Sequence, residues 1–370
     1  MSSIFKPWPE PSELAKLTEL ATPLAGRVLV KGVKVGRPVG QGQLLAISQK
    51  PRQGSLRSPR AGVIKALNGR EIILTPGPNR VGPARARDLS GLEGEELAEA
   101  LLDLGLSLPE EPEPGSPLLV TALDPDPSLT LAQALWSEWP AIMSQGLAVA
   151  ARLYPKRPRL LVWPSSRPAP NIVVETWPTQ IHNRPFPWTW GPFLKKSLGL
   201  GYDRAARGVL DSRAIYLMGL MERRGRAPHH WPLAIQSQNY LVPAGLSPKN
   251  IFKTISLEPQ PGDLVALGGL WLGRPLANLD AGLDAEVTAV HLIRARRLGP
   301  EPGPCRGCQA CRAVCPLDLP IDRLGREPLS SWPSLSNATK ASLALCPDCG
   351  QCALACPAHR PLRFFSSWIK

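Results

Sequence analysis

Short apolar runs separated by glycine turns fill the first part of the chain. Apolar and polar positions alternate within Gly26–Gly32, Val35–Ala46, Leu56–Ile64 and Glu71–Leu74. Turn signals that recur at intervals of about eight to twelve residues are typical of small barrels and sandwiches made only of strands. The pattern therefore predicts a first, all-β domain, to which we assign residues 1–80.

The pattern then changes to alternating strand-like and helix-like segments. Strand-like apolar runs lie at Leu118–Val120 and Leu160–Trp163, and helical periodicity covers Gly94–Leu104 and Ser128–Leu153. A strand, a helix and a second strand in this order are typical of an α/β unit with a parallel sheet. We assign this α/β domain to residues 81–228.

Beyond the second strand the periodicity is lost and then returns. From Thr176 to Pro228 the pattern is irregular, without a clear helical or strand period. Residues 232–293 return to strand-like runs with one short helix. They predict a third, β-rich domain at residues 229–298, and we expect the histidine pair His229–His230 at its start on the surface or in a loop.

A proline- and glycine-rich linker after Gly299 leads to the cysteines of the chain. All eight lie between residues 305 and 356. The first four form the run Cys-x-x-Cys-x-x-Cys-x-x-x-Cys-Pro that begins at Cys305, and the last four repeat this run from Cys346. Bacterial ferredoxins hold [4Fe–4S] clusters with the same run. The repeat therefore predicts a fourth domain, at residues 299–370, with two [4Fe–4S] clusters.

The spacing gives every cysteine a ligand role. Three cysteines at two-residue intervals wrap around one cluster, while the fourth is carried away by a helical turn to the other cluster. The proline that follows ends this turn. Cluster 1 would be held by Cys305, Cys308, Cys311 and Cys356, and cluster 2 by Cys346, Cys349, Cys352 and Cys315.

Zinc is the alternative for paired Cys-x-x-Cys motifs, since four thiolates in two pairs form a tetrahedral structural site. A zinc site of that design requires neither the third cysteine of each run nor the endings Cys315–Pro316 and Cys356–Pro357. Iron–sulfur clusters are therefore the prediction, and analysis of iron and labile sulfide distinguishes the two.

Composition narrows the function classes. The 43 lysines and arginines against 30 aspartates and glutamates give a net charge of +13, which favours acidic partners. The basic residues are spread along the chain without a nucleic-acid-binding motif, so we expect no nucleic-acid partner. The 43 prolines argue against long helical bundles, because proline interrupts helix hydrogen bonding. The five histidines have no nucleophile or metal-ligand spacing around them, and no catalytic residue is predicted.

The sequence also lacks signals for export and membrane insertion. The N-terminus has no apolar core of a signal peptide, and no run reaches the roughly 18 apolar residues of a membrane span. We therefore expect a cytoplasmic protein with no transmembrane segment of its own, in a compartment that keeps thiols reduced. Association with a membrane would then come through partners.

The first domain resembles the barrel-sandwich hybrid of biotinyl and lipoyl carriers. The resemblance lies in Val33–Ala46 and Ser58–Ile64. Carrier members of that family present a lysine at a hairpin tip between these segments. The intervening stretch Ile47–Leu56 contains Lys50 but no carrier-type Met-Lys-Met or Asp-Lys-Ala sequence, so we expect a structural barrel without a carrier lysine.

The order of the four domains resembles the C subunit of the Rnf-type ion-translocating ferredoxin:NAD oxidoreductase. It is also similar to the cobalamin reductase of propanediol-utilising microcompartments and, apart from the cysteine runs, to the flavin subunit of respiratory complex I. Besides the barrel segments, Leu118–Trp136 carries the similarity in the α/β domain. Gln238–Phe252 and Pro261–Gly273 look like the soluble-ligand-binding β-grasp (SLBB) domain.

This resemblance implies a multidomain α/β and β architecture. In chain order it would consist of a barrel-sandwich hybrid (1–80), an α/β domain like that of the complex I flavin subunit (81–228), a β-grasp, SLBB-like domain (229–298) and a two-cluster, ferredoxin-like α-helical domain (299–370).

The chain departs from this family where functional members hold flavin and NADH. The family carries a Gly-x-Gly-Gly-Ala-Gly-Phe-Pro loop there, and glycines let backbone amides cradle a phosphate. At that position this chain has Gly105–Glu111, with most glycines replaced and two carboxylates that repel a phosphate. The acidic turn that follows in the family has become Ala122–Pro127, in which Asp124 and Asp126 remain acidic. We therefore expect that FMN and NADH binding, and with it the NADH dehydrogenase site, is lost or strongly altered.

The resemblance implies an iron–sulfur electron-transfer subunit of a membrane-associated Rnf-like redox complex. Its partners would be the membrane subunits of that complex and a soluble acidic redox protein such as ferredoxin or flavodoxin, at the cytoplasmic face of the inner membrane. Two alternatives stay open. One is a flavin-dependent NADH or cobalamin-type reductase, which flavin content and NADH-dependent dye reduction would reveal. The other is a soluble ferredoxin-containing adaptor, which would not co-purify with membrane subunits.

Overall fold

The structure, a computed structural model, is a mixed α/β protein with several sheets. It describes residues 5–6, 19–78, 80–111, 118–124, 126, 128–154, 158–162, 173–176, 208–270, 273–284, 286–295, 302–315, 319–326, 336–337, 341, 346, 351–360 and 362. Its strands are β1 (Phe5–Lys6), β2 (Leu20–Pro23), β3 (Arg27–Leu29), β4 (Pro38–Val39), β5 (Leu44–Ser48), β6 (Leu56–Arg57), β7 (Gly62–Leu67), β8 (Glu71–Pro76), β9 (Leu119–Thr121), β10 (Arg159–Val162), β11 (Val173–Thr176), β12 (Val209–Asp211), β13 (His230–Ile235), β14 (Gln238–Pro243), β15 (Leu264–Leu267), β16 (Arg274–Leu276) and β17 (Ala289–Ile293). Its helices are α1 (Gly94–Asp103), α2 (Leu131–Glu138), α3 (Pro140–Leu153), α4 (Ser212–Arg224), α5 (Pro248–Thr254), α6 (Ala310–Ala313), α7 (Ile321–Arg326) and α8 (Gln351–Leu354).

Residues 20–76, here called the N-terminal β region, form two small antiparallel sheets. One has the strand order β2-β8-β7-β4 and the other the order β3-β5-β6. In β8 the side chains of Ile72 and Leu74 are buried and their neighbours are more exposed, as the period of two along a strand requires. The short strands predicted from the glycine-punctuated pattern are confirmed.

The middle of the chain forms a parallel sheet with the order β11-β10-β9-β12. The prediction of an α/β unit with a parallel sheet is thereby confirmed. We call residues 89–224 the α/β region. Its core is built from this sheet and from α1, α2, α3 and α4, and Phe5 at the start of the chain joins it.

The helical periodicity predicted over Ser128–Leu153 is confirmed, and the structure divides this range between two helices. Helix α2 ends at Glu138, and Pro140 is the first residue of α3. Proline fits the first turn of a helix, where an N–H has no partner in any case, but it cannot continue a helix that precedes it.

The prediction of an irregular segment from Thr176 to Pro228 was wrong for its last part, where β12 and α4 lie, while residues 177–207 lie outside the described residues. The Asp211 side chain caps α4 by accepting a hydrogen bond from the Ala214 amide at 2.7 Å, and Gly225 ends the helix with φ +60°. Nearly all side chains from Ser212 to Met221 are buried. A helix that is buried all round has no one-sided apolar period by which to detect it.

Helices α3 and α4 pack with their backbones in close approach. A Cβ atom at Gly146 would overlap the carbonyl oxygen of Ile215, and one at Gly219 would overlap that of Ile142. Each helix thus contributes a glycine where the other helix crosses it. These two glycines let α4 pack closely against α3.

The third region, residues 230–293, is built around a six-stranded mixed sheet with the order β1-β14-β13-β17-β15-β16. Helix α5 begins after Ser247, whose side chain accepts a hydrogen bond from the Asn250 amide at 3.3 Å. Strand β1, which comes from the first residues of the chain, pairs in parallel with β14 at the edge of this sheet. The prediction of a β-rich segment with one short helix is confirmed, and we call these residues the mixed-sheet region.

The N-terminal β region and the mixed-sheet region share one hydrophobic core. Leu45 and Ile72 from the first belong to the same cluster of buried side chains as Leu233, Phe252 and Val290 from the second. The two regions therefore stabilise each other, although more than 150 residues separate their nearest segments in the chain (76 to 230).

Candidate metal centre

The two cysteine runs fold alike where both are described. The one-turn helix α6 contains the third cysteine of the first run, Cys311, and the one-turn helix α8 contains the third cysteine of the second run, Cys352. In both cases the cysteine is the second residue of its helix. The repeated spacing thus produces the same local structure twice, with the fourth cysteine of each run just beyond the helix.

Backbone amides point at sulfur atoms in the first run. The amide of Gly307 donates to Cys305 Sγ at 3.4 Å, and the amide of Leu319 donates to Cys315 Sγ at 3.3 Å. The chain bends for the first contact by means of a left-handed backbone conformation at Gly307 (φ +68°). Hydrogen bonds to ligand sulfurs stabilise thiolates and tune the potential of iron–sulfur clusters.

The cysteines differ in their exposure to solvent. The described ones form no disulfide; Cys305 and Cys308 are exposed, Cys346 and Cys356 are partly buried, and Cys311, Cys315 and Cys352 are buried. The buried thiols share a cluster with the apolar side chains of Leu319, Ile321 and Leu362. Apolar surroundings of this kind limit the access of water to sulfur ligands.

The beginning of the first run lies beside the end of the second. The Gly303 amide donates a hydrogen bond to the Ala358 carbonyl group at 2.9 Å, and α6 contacts α8. Burial raises the pKa of the Cys311 thiol, and the negative charges of Asp322 and Cys356 raise it further. Cys356 is therefore close enough to Cys311 for their charges to interact. Since a ligand thiol is deprotonated, Cys311 would lose its proton if it held a metal.

Within the described ranges, no three His, Cys, Asp or Glu side chains lie close enough together to hold a single metal ion. Cys349, which belongs to the predicted ligand set of cluster 2, lies outside the described residues. The donor chemistry nonetheless fits iron–sulfur clusters. Cysteine sulfurs in apolar surroundings, with amides that donate to them, are the ligands that [4Fe–4S] clusters take.

The segment Gly105–Glu111, in which the sequence predicts no phosphate-binding loop, packs against the N-terminal β region. The amides of Gly105, Leu106 and Leu108 donate hydrogen bonds of 2.9 to 3.0 Å to carbonyl groups of α1 and of Arg52. The Glu111 carboxylate accepts a hydrogen bond from the Arg52 guanidinium at 2.5 Å. These three amides are thus occupied by bonds within the protein.

A cavity of about 180 Å³ lies beside this segment, where the three regions meet. Three arginines and three carboxylates line it, together with apolar side chains: Arg27, Arg57, Arg213, Asp211, Asp284 and Glu286. Arg213 is buried and donates to the Val287 carbonyl oxygen at 2.8 Å. The charges balance, so the cavity shows no preference for an anion or a cation.

The acidic turn after β9 holds neighbouring elements in place. Both Asp124 carboxylate oxygens accept the Ala132 amide hydrogen at 3.0 Å and so cap α2. The side chain of Asp126 lies where a Cβ atom at Gly269 would be, which explains why glycine is required there. The turn therefore links the α/β region to the mixed-sheet region.

His229 and His230 lie at the surface as expected, although His230 belongs to a strand and not to a loop. It is the first residue of β13, and both rings are half-buried, with centroids 4.7 Å apart. Burial, together with the charges of His229, Arg60 and Arg224, lowers the pKa of His230 to about 4. The sequence carries no signal for this environment, because Arg60 is far from His230 in the chain and Arg224 lies on another element, α4.

Comparison with known families bears on the cysteine runs. Residues 304–360 match the family model of the 4Fe-4S dicluster domain, and the match contains all eight cysteines. A comparison with curated proteins returns no match. Of the helices that the structure describes, none is long and apolar enough to cross a membrane. The chain thus carries a [4Fe–4S] iron–sulfur domain near its C-terminus, which indicates electron transfer.

Proposed function

We propose that the protein is an iron–sulfur electron-transfer subunit of a membrane-associated, Rnf-like redox complex. In this proposal, two [4Fe–4S] clusters relay single electrons between a soluble redox protein and membrane subunits. The observation that carries the proposal is the match of residues 304–360 to a 4Fe-4S dicluster domain with both cysteine runs inside it.

The proposed ligands cross between the two runs. Cys356 joins the first three cysteines of the first run, and Cys315 joins those of the second. The contact between α6 and α8 and the Gly303–Ala358 hydrogen bond support this exchange, because they bring the two runs together. A bound [4Fe–4S] cluster accepts and releases one electron at a time. The protein contributes deprotonated thiols, amides that donate to sulfur, and apolar side chains that exclude water.

The remaining regions act in this proposal as a scaffold without a nucleotide cofactor. We assign them to a barrel-sandwich hybrid, a degenerate α/β domain of the complex I flavin-subunit type and a β-grasp domain. The hydrogen bonds already made by the amides of Gly105, Leu106 and Leu108 support the loss of FMN and NADH, because a phosphate would have to displace them.

The proposed partners follow from charge and from the resemblance. A net charge of +13 favours an acidic soluble redox protein such as ferredoxin or flavodoxin. Membrane subunits of an Rnf-like complex would hold the protein at the cytoplasmic face of the inner membrane. Purification from membranes in mild detergent tests this part, and a protein that never co-purifies with membrane subunits would instead be a soluble adaptor.

Rapid mixing tests electron transfer directly. The anaerobically purified, dithionite-reduced protein should reduce an oxidised flavodoxin, and the rate should fall with increasing salt because opposite charges attract the partners. Cys311→Ser and Cys352→Ser should each abolish most of this transfer, since each removes a ligand of a different cluster. Undiminished transfer in both variants would contradict the proposal. Stoichiometric flavin together with NADH-dependent dye reduction would favour a flavin-dependent reductase instead.

A further inference from the structure

A concave basic surface lies where the N-terminal β region meets the end of α4. It consists of two adjoining hollows of about 380 and 520 Å³ that share Gln41 and His229. We call it the arginine groove, and its basic residues are Arg57, Arg60, Arg85, Arg224, Arg226, His229 and His230. Among the described residues that line the two hollows there is no aspartate or glutamate.

Backbone hydrogen bonds hold the walls of the arginine groove in place. The Ala84 amide donates to the Gln41 carbonyl oxygen at 2.9 Å, which ties the segment before α1 to the N-terminal β region. The Arg87 amide donates to the Gly225 carbonyl oxygen at 2.8 Å and ties the same segment to the end of α4. The Gly225 backbone is left-handed, and a Cβ atom there would overlap the carbonyl oxygen of Arg87. The groove is therefore formed before any ligand binds.

The positive charges of the groove are poorly balanced by the protein. Arg57 forms an ion pair with Asp103 at 2.7 Å. The other four arginines form no ion pair with a carboxylate of the described residues. Arg224 lies in the last turn of α4, where the helix dipole stabilises a positive charge. The dipole thus offsets the charge of one of these four arginines and leaves the other three without a counter-charge among the described residues. Clustered like charges repel, and an anion between them removes that cost.

The two histidines add neutral hydrogen-bonding groups to the groove. Burial lowers the pKa of His229, and the charges of Arg224 and Arg60 lower it further. The pKa of His230 is lowered to about 4 by burial, by His229 and by the same two arginines. Both rings are therefore neutral at neutral pH, and each can donate one hydrogen bond.

We propose that the arginine groove binds a small anion of the diphosphate type, that is, a compact molecule with two or more negative charges on phosphoryl oxygens. Guanidinium groups present a planar fork of donors that matches phosphoryl oxygens. The two hollows, of about 380 and 520 Å³, each lie within the range of about 300 to 1,000 Å³ that is usual for small-molecule sites. The site is separate from the cysteine runs and does not depend on their clusters.

Anion binding in the groove should be linked to proton uptake. The groups that face the histidines are Arg60 from the N-terminal β region, Arg224 from α4, and the other histidine, with Arg85 and Arg226 on the adjoining walls. A bound anion offsets these positive charges, so the histidine pKa values rise on binding. Because the bound state then takes up protons, affinity should increase as pH falls through the range in which the histidines titrate.

Calorimetric titration of the full chain with inorganic pyrophosphate, at constant ionic strength, tests the proposal. Pyrophosphate should bind more tightly than orthophosphate. Arg60→Gln and Arg226→Gln should each weaken pyrophosphate binding roughly tenfold, because each removes a charged donor. Arg70→Gln is the matched control, since Arg70 is exposed in the turn before β8, outside the groove. Equal weakening by all three substitutions, or equal affinity for the two anions, would overturn the proposal.

The pH dependence provides a second, independent test. Sulfate keeps its charge over the histidine range, so any pH dependence of its binding belongs to the protein. Its affinity should rise as pH falls for the wild type and should be nearly independent of pH in a His229→Gln, His230→Gln double variant. A slope that persists in the double variant would overturn the role of the histidines. Unchanged iron content in every variant separates this site from the proposed iron–sulfur function.

Discussion

At the scale of single residues, surroundings decide what a side chain does. Asp124 is acidic in a position where the resembling family also carries acidic residues, yet here its carboxylate caps α2. Burial, together with the negative charge of Asp211, raises its pKa to about 7. The cap was not predictable from the sequence, because Asp124 precedes Ala132 by eight positions, whereas a local N-cap side chain lies two or three positions before the amide that it accepts.

Replacement of Asp124 by asparagine tests this pKa. Because the folded-state pKa lies above the ordinary value of 3.8, ionisation of Asp124 destabilises the fold as pH rises from about 4 to about 7. Asparagine keeps an acceptor for the cap and does not titrate. Asp124→Asn should therefore raise the free energy of unfolding by up to about 4 kcal/mol above neutral pH, and this gain should shrink towards about pH 4.

Urea unfolding, followed by tryptophan fluorescence at a series of pH values, measures this difference between the variant and the wild type. The comparison cancels any acid lability that the two proteins have in common. A variant that is less stable than the wild type at every pH would show that the carboxylate charge is needed for the cap.

At the scale of elements, an apolar period on one face correctly predicted some helices and strands and missed others. The predicted helix Gly94–Leu104 agrees with α1 to within one residue, because that helix has one buried and one exposed face. The cysteine spacing predicted a helical turn before the fourth cysteine, and α6 confirms it for the first run. Helix α4 was missed, since burial on all sides removes the period that would reveal it.

The close contact between α3 and α4 makes a prediction at this scale. Alanine favours a helix over glycine by up to about 1 kcal/mol, so Gly219→Ala would stabilise an isolated helix. In the protein the added methyl group overlaps the Ile142 carbonyl oxygen, and overpacking of this kind costs about 1–3 kcal/mol. Because the overlap involves a backbone atom, its cost should exceed the gain in helix propensity. We therefore expect Gly219→Ala to have a lower urea midpoint than the wild type.

Gly91→Ala is the matched control for this substitution, because a Cβ atom at Gly91 has no neighbour within 4 Å. It should leave the midpoint nearly unchanged. If Gly219→Ala were as stable as the control, the two helices would not be in backbone contact.

At the scale of the whole molecule, the contacts that unite distant segments lay beyond what local patterns predict. Ala84 and Gly225 close the arginine groove, and β1 crosses from the start of the chain to the edge of the mixed sheet. Such contacts depend on how regions pack, not on the period of either segment. The candidate metal centre was more accessible to prediction, because ligand spacing is local and all eight cysteines lie between residues 305 and 356.

The central claim is that both cysteine runs hold [4Fe–4S] clusters. The most direct measurement is the iron, zinc and acid-labile sulfide content of the anaerobically purified full chain. We expect about eight iron and about eight sulfide per chain, with no stoichiometric zinc. Zinc in place of iron, or far fewer than about eight irons without sulfide to match, would contradict the claim.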